Sequence, residues 1–172
     1  MHFAKEIIND IHLTNQIINL IRNANKAIME IYHNTDKKVI TKKNNTPLTQ
    51  ADLASNKILT QGLENIFPNI PIVSEENEDS LSIPQKYNIF WLIDPLDGTK
   101  EFINRNDEFT SNVALIENNK TRLGFVGVPS KELIYYGGKD FGSKSIDKFN
   151  KISNIKYEGK NEICRVVASK SH

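Results

Sequence analysis

Residues 89–97 read Ile-Phe-Trp-Leu-Ile-Asp-Pro-Leu-Asp, an apolar run that ends in two aspartates three residues apart. A run of that composition reads as a buried strand. Pro95 stiffens the turn between Asp94 and Asp97, and Gly98 and Thr99 follow at once. Both carboxylates are therefore expected to face one small volume at a strand end. Two carboxylates so close repel each other unless a cation sits between them. The expectation is a hard-metal site beside a phosphate.

Two further acids are candidates for the same volume, Asp52 and Glu75. Asp52 sits at the start of a helix, in Thr49-Gln50-Ala51-Asp52, which has the form of a capping box. Glu75 ends a short strand predicted over Ile70–Ser74. Carboxylates at strand ends and helix starts converge readily in an α/β fold. A donor set made only of oxygens suits Mg²⁺, Mn²⁺ or Ca²⁺ rather than zinc, and Mg²⁺ when a phosphate and water complete the shell. Each residue also has a plainer reading. Asp52 alone complements a helix dipole, Glu75 and Glu76 alone are a solvated turn, and Asp94 and Asp97 alone are turn formers around Pro95. Thr99 alone is a helix cap, unless Asp52 lies within hydrogen-bond reach.

The remaining pattern places these residues. Ile7, Ile8, Ile11, Ile18, Ile21, Ala24, Ile28 and Ile31 predict one long amphipathic helix over 7–32. Val39, Ile40 and Thr41 form a β-like patch. The helix opened by Thr49 carries Leu53, Ile58, Leu59, Leu63, Ile66 and Phe67 as its apolar face, and Pro68 stops it. Residues 77–88 read as loop, Ile89–Asp94 as strand, and Gly98–Asn104 as a short helix. Ser111–Glu117, Thr121–Val128 and Leu133–Tyr136 predict an antiparallel meander turning at Asn118-Asn119. Residues 137–162 read as loops and short elements, and Ile163–Ala168 as a last strand.

The chain has 172 residues, a formal charge of +1 and one cysteine, Cys164. Interspersed charge of both signs argues against nucleic-acid binding and against a membrane surface. One cysteine excludes an internal disulfide and a Cys-based zinc site. No apolar run approaches the roughly 18 residues of a membrane span, and the N-terminus lacks a signal-peptide layout. The expected setting is the cytoplasm. His2, His12 and His33 show no partner pattern and are read as surface.

The segment Ile93-Asp94-Pro95-Leu96-Asp97-Gly98-Thr99-Lys100-Glu101-Phe102 resembles the signature of the lithium-sensitive, magnesium-dependent phosphatases related to inositol monophosphatase. Lys100-Glu101-Phe102, with Ile103, Arg105 and Asn106, is similar to the bacterial 3'(2'),5'-bisphosphate nucleotidase branch, where the inositol branch has Thr-Asn-Phe. Further likeness lies in Thr46–Thr49 through Asp52, Ser74-Glu75-Glu76, Asn112–Ile116 and Val166–His172.

The resemblance implies a layered inositol-monophosphatase-like α/β sandwich with an α+β first domain. Residues 1–160 would be that domain and 161–172 the first strand of a second. It implies Glu75, Asp94, the Leu96 carbonyl and Asp97 as metal ligands, with Asp52 and Thr99 activating the attacking water. Glu75, Leu96, Asp97, Gly98, Thr99, Ser169 and His172 would contact the substrate. It implies two or more Mg²⁺ ions, inhibition by Li⁺, and hydrolysis of adenosine 3',5'-bisphosphate to AMP and phosphate.

An inositol or sugar phosphatase, and a non-catalytic remnant or half of a split enzyme, are the other readings. Family members continue well past Ser-x-Ser-His into a region with a Trp-Asp motif, so this chain alone is expected to be weakly active or inactive. The partners expected are a small phosphorylated nucleotide and either a complementing C-terminal fragment or a second copy in a homodimer.

Overall fold

The computed structural model describes residues 3–34, 39–41, 47–139 and 141–156. The predicted strand over Ile163–Ala168, together with Ser169 and His172, lies outside the described residues.

The N-terminal helical pattern is interrupted. Helix α1 spans Phe3–Asn9 and α2 spans Ile11–His33. Asp10 divides them because its carboxylate caps the second helix, accepting from the N–H groups of His12 (2.8 Å) and Leu13 (3.2 Å). The expected single helix is therefore two. Replacing Asp10 by Ala is expected to lower stability by about 1 kcal/mol, read as a lower urea midpoint at unchanged slope.

Strands β1 (Val39–Thr41) and β2 (Pro47–Thr49) pair antiparallel and lead into helix α3, Gln50–Ile66. The predicted capping box is present, since the Thr49 N–H donates to Asp52 Oδ2 at 2.8 Å and Thr49 Oγ1 accepts from Ala51. The buried face of α3 is Ala51, Asp52, Ser55, Leu59 and Leu63; Leu53, expected inside, is exposed. Gly62 lets α3 approach α2, because a Cβ there would overlap the Leu20 side chain.

After α3 come β3 (Ile72–Ser74), the short helix α4 (Ile83–Lys86), β4 (Ile89–Asp97) and helix α5 (Thr99–Asn104). The segment read as loop over 77–88 holds α4 and a 3₁₀ turn at Glu78–Ser82, which opens where Asn77 Oδ1 accepts from the Asp79 N–H. Strand β3 is shorter than expected, beginning after Pro71.

The chain then forms β5 (Thr110–Glu117), β6 (Lys120–Val128), β7 (Leu133–Gly138), β8 (Gly142–Ile146) and β9 (Ile152–Ile155). Asn118 and Asn119, with φ of 52° and 58°, make the β5–β6 turn as expected. Strands β8 and β9 fall where loops and short elements were expected. Strand β8, Gly-Ser-Lys-Ser-Ile, is mostly polar, and β9 is exposed along its length, both isoleucines included, so backbone pairing rather than a buried apolar face defines them.

Among the described residues, seven strands form one sheet in the order β3-β4-β5-β6-β7-β8-β9. Within these seven, β3 and β4 pair in parallel and each other neighbouring pair is antiparallel. One face packs Trp91, Ile93, Val113, Leu115, Leu123 and Phe125 against Ile17, Ile18 and Ile21 of α2 and Leu59 and Leu63 of α3. On β4, Phe90, Leu92 and Asp94 alternate onto the other face. Phe90 is buried there with Val73 and Ile116, while Leu92 is 41% exposed, so the strand read as buried is covered fully on one face and in part on the other.

Candidate active site

The site forms where parallel strands β3 and β4 end and helices α3 and α5 begin. Ser74 pairs with Ile93 across the parallel ladder, and the Glu75 N–H donates to the Ile93 carbonyl at 3.3 Å. Glu75 therefore leaves the sheet beside Asp94. The expected turn around Pro95 is instead a bulge within β4. The strand pairs with β5 at Asp94↔Asn112, skips, and pairs again at Asp97↔Thr110. Proline has no N–H for a ladder, and a bulge is where a strand tolerates it. The bulge re-aims Leu96 and Asp97.

Buried groups fix that bulge. Ser55 Oγ donates to the Pro95 carbonyl at 2.7 Å. The Leu96 side chain is buried with Ile28, Tyr32, Ala51, Phe102 and Phe109. The Tyr32 hydroxyl donates to Asp107 Oδ1 at 2.7 Å, which ties the segment after α5 to α2. Gly98 adopts φ of 90°, and a Cβ there would lie 2.9 Å from the Glu108 carbonyl, so only glycine suits this position.

Asp52 divides its two oxygens. Oδ2 serves the capping box, taking the Thr49 N–H and, at 2.5 Å, the Thr49 hydroxyl. Oδ1 lies 3.1 Å from Thr99 Oγ1, across 47 residues of sequence. The Thr99 hydroxyl is also 3.3 Å from the Leu96 carbonyl. Asp52 thus sits in the first turn of α3, within the capping box, and also lies within hydrogen-bond reach of Thr99. Burial raises the Asp52 carboxyl above its ordinary range, while the bonds from Thr49 and Thr99 pull it back.

Asp94 is pushed up to about 7, first by burial, then by the charges of Glu75 and Asp97, with Glu76 adding to them; the Leu96 N–H opposes the shift. Asp94 therefore lies within electrostatic reach of Glu75, Asp97 and Glu76. These carboxylates are not a closed cage: among the described residues, no three His, Cys, Asp or Glu side chains gather around one point. Mg²⁺ commonly binds through one or two carboxylates with water and phosphate oxygens, so an open set of oxygen donors at a strand end fits it. Asn112 Nδ2 reaches Asp97 Oδ2 at 3.4 Å.

Sequence reasoning missed Ser55 and Asn56. Ser55 holds the bulge, and Asn56 Oδ1 accepts from Ser74 Oγ at 2.7 Å beside Glu75. Their spacing from Asp52, three and four residues along one helix, was the available signal. Replacing Ser55 by Ala is expected to cost about 1–2 kcal/mol by leaving the Pro95 carbonyl unpaired, checked by denaturant unfolding.

These features define a class of α/β protein with carboxylates set at the ends of strands beside a helix start. The inositol monophosphatase family model matches residues 10–172, and the chain belongs to that family. Among curated relatives, the 3'(2'),5'-bisphosphate nucleotidase CysQ of Shigella flexneri is 44% identical over 124 residues, 72% of this chain and 50% of its own length. That of Buchnera aphidicola subsp. Acyrthosiphon pisum is 39% identical over 171 residues, 97% of this chain and 63% of its own. The crystal structure of CysQ from Bacteroides thetaiotaomicron, a bacterial member of the inositol monophosphatase family, superposes with a TM-score of 0.62 at 29% identity. The match covers 92% of this chain and 54% of that one. The expected inositol-monophosphatase-like α/β fold is borne out. The chain spans about half the length of the first curated relatives it matches.

Proposed function

We propose that the chain carries the metal-and-phosphate half of a Mg²⁺-dependent phosphatase for 3'(2'),5'-bisphosphate nucleotides. The observation that carries this reading is the 3.1 Å approach of Thr99 Oγ1 to Asp52 Oδ1 beside the bulge that aims Leu96 and Asp97. The likeness to nucleotidases at up to 44% identity supports the substrate class.

Glu75, Asp94, Asp97 and the Leu96 carbonyl would hold Mg²⁺, which when bound neutralises phosphate charge and acidifies water. Thr99 orients the attacking water and relays its proton toward Asp52, whose burial makes it the better proton acceptor. Gly98 and Thr99 present the backbone to the scissile phosphate. We further propose that residues 1–160 form this unit, that 161–172 open a second domain, and that Ser169 and His172 contact the nucleotide. The protein acts in the cytoplasm on this reading; among the described residues no helix is long and apolar enough to cross a membrane.

The test is phosphate release from adenosine 3',5'-bisphosphate and from inositol 1-phosphate with Mg²⁺, by this chain alone and mixed with the second half of a nucleotidase relative. The reading expects weak release alone, restored release in the mixture, and preference for the nucleotide. No nucleotide hydrolysis in the mixture, or preference for the inositol ester, overturns it.

A further inference from the structure

A cleft of about 500 Å³ lies apart from the acidic site and shares no residue with it. Its walls include Arg22, Asn25 and Lys26 of α2, Ser130 and Glu132 from the β6–β7 connection, and Lys148 from the β8–β9 turn. Three cations thus line one cleft from two elements, Arg22 and Lys26 on α2 and Lys148 on the β8–β9 turn, with Glu132 as the carboxylate on the wall. Arg22 is held rigidly: Nη1 donates to Asn150 Oδ1 and Nη2 to the Asp147 carbonyl, each at 2.8 Å. Both acceptors are uncharged, so these bonds fix the guanidinium without cancelling its charge.

Lys148 pairs with Glu132 at 3.0 Å, and Lys26 lies 4.0 Å from Glu30, all with exposed side chains. Such pairs are worth little and are easily exchanged for a better anion. Asn25 is buried, and its Oδ1 accepts from Ser111 Oγ at 2.6 Å, which leaves its amide N–H groups as the donors on that wall.

We propose that this cleft binds a small soluble phosphate ester. An oriented guanidinium with two mobile ammonium groups suits a tetrahedral dianion better than a neutral or cationic ligand. The volume is that of a small-molecule site rather than of a lone ion. The wall offers a single carboxylate and so no divalent-metal set, and the ligand is held rather than cleaved. The assignment is independent of the hydrolytic reading.

The test is titration of the 172-residue chain with inorganic pyrophosphate in EDTA, following backbone amide shifts. Chelation removes metal-dependent capture at the acidic site. The expected result is saturable shifts along Arg22–Met29, at Ser130–Glu132 and at Lys148. The double variant Lys26→Gln/Lys148→Gln is expected to weaken binding by at least about tenfold, the loss of one charge-assisted contact. It leaves Arg22, which anchors the β8–β9 turn, in place. Absence of saturable shifts, unchanged affinity in the double variant, or shifts centred on Gly98–Thr99 each overturns the proposal. Phospholipid headgroups offer the same chemistry, so phosphatidylcholine vesicles containing phosphatidic acid are the second arm. No co-sedimentation is expected. Vesicle binding that the double variant abolishes would overturn the assignment to a soluble ligand.

Discussion

Replacing Asp94 by Asn is expected to stabilise the metal-free protein at pH 8 while abolishing its stabilisation by Mg²⁺. Burial and the neighbouring Glu75 and Asp97 push the Asp94 carboxyl up to about 7. The folded state therefore holds this proton more tightly than the unfolded chain does. The stability linked to it is full below the ordinary carboxyl range near pH 4 and is lost as pH rises through about 7. At pH 8 the ionised group costs the metal-free fold on the order of 2 kcal/mol, allowing for the water that reaches it. Asparagine keeps the shape and removes the charge, so the melting temperature should rise by roughly 5 °C. The same change deletes a proposed metal ligand. A thermal-shift series over pH 5–8, with and without Mg²⁺, reads both effects. A variant whose melting temperature falls with pH as steeply as the parent's, or still rises with Mg²⁺, would remove Asp94 from the role assigned to it.

Trp91→Ala is expected to be the most destabilising single change in the core, at about 3–5 kcal/mol. Trp91 is fully buried on β4 and stacks at a tilt on Phe67, with ring centroids 5.2 Å apart. It joins the sheet to the end of α3, and the cavity left by alanine has rigid walls on both sides. Trp91→Phe isolates the packing contribution. The indole N–H has no hydrogen-bond partner in the structure, so losing it breaks no bond and relieves a buried donor. Phenylalanine should therefore cost about 1–2 kcal/mol, well below alanine. Equal losses in the two variants, measured by denaturant unfolding, would mean that ring packing at this position contributes little.

The elements that were readable beforehand share one property, a pattern carried by side chains within a short window. The capping box from Thr49 to Asp52, the turn at Asn118-Asn119 and the three meander strands all follow from local chemistry. The misreadings share another. Asp10 splits a helical pattern because one carboxylate caps more strongly than periodicity propagates. Strands β8 and β9 carry polar residues and exist through pairing with β7 and with each other. Leu53 lies outside because α3 is rotated by what it packs against, which periodicity alone does not set.

The local sequence determined that Asp94 and Asp97 flank a proline at the end of an apolar strand, that Asp52 begins a helix, and that glycine and threonine follow the second aspartate. Those are properties of neighbours along the chain. Tertiary structure decided that β4 bulges rather than turns at Pro95, that Ser55 grips the bulge, and that Thr99 meets the Asp52 oxygen left over from the capping box. The reason is physical. Each of these contacts joins groups 40 or 47 residues apart, and only the packing of α3 on the sheet sets their distances.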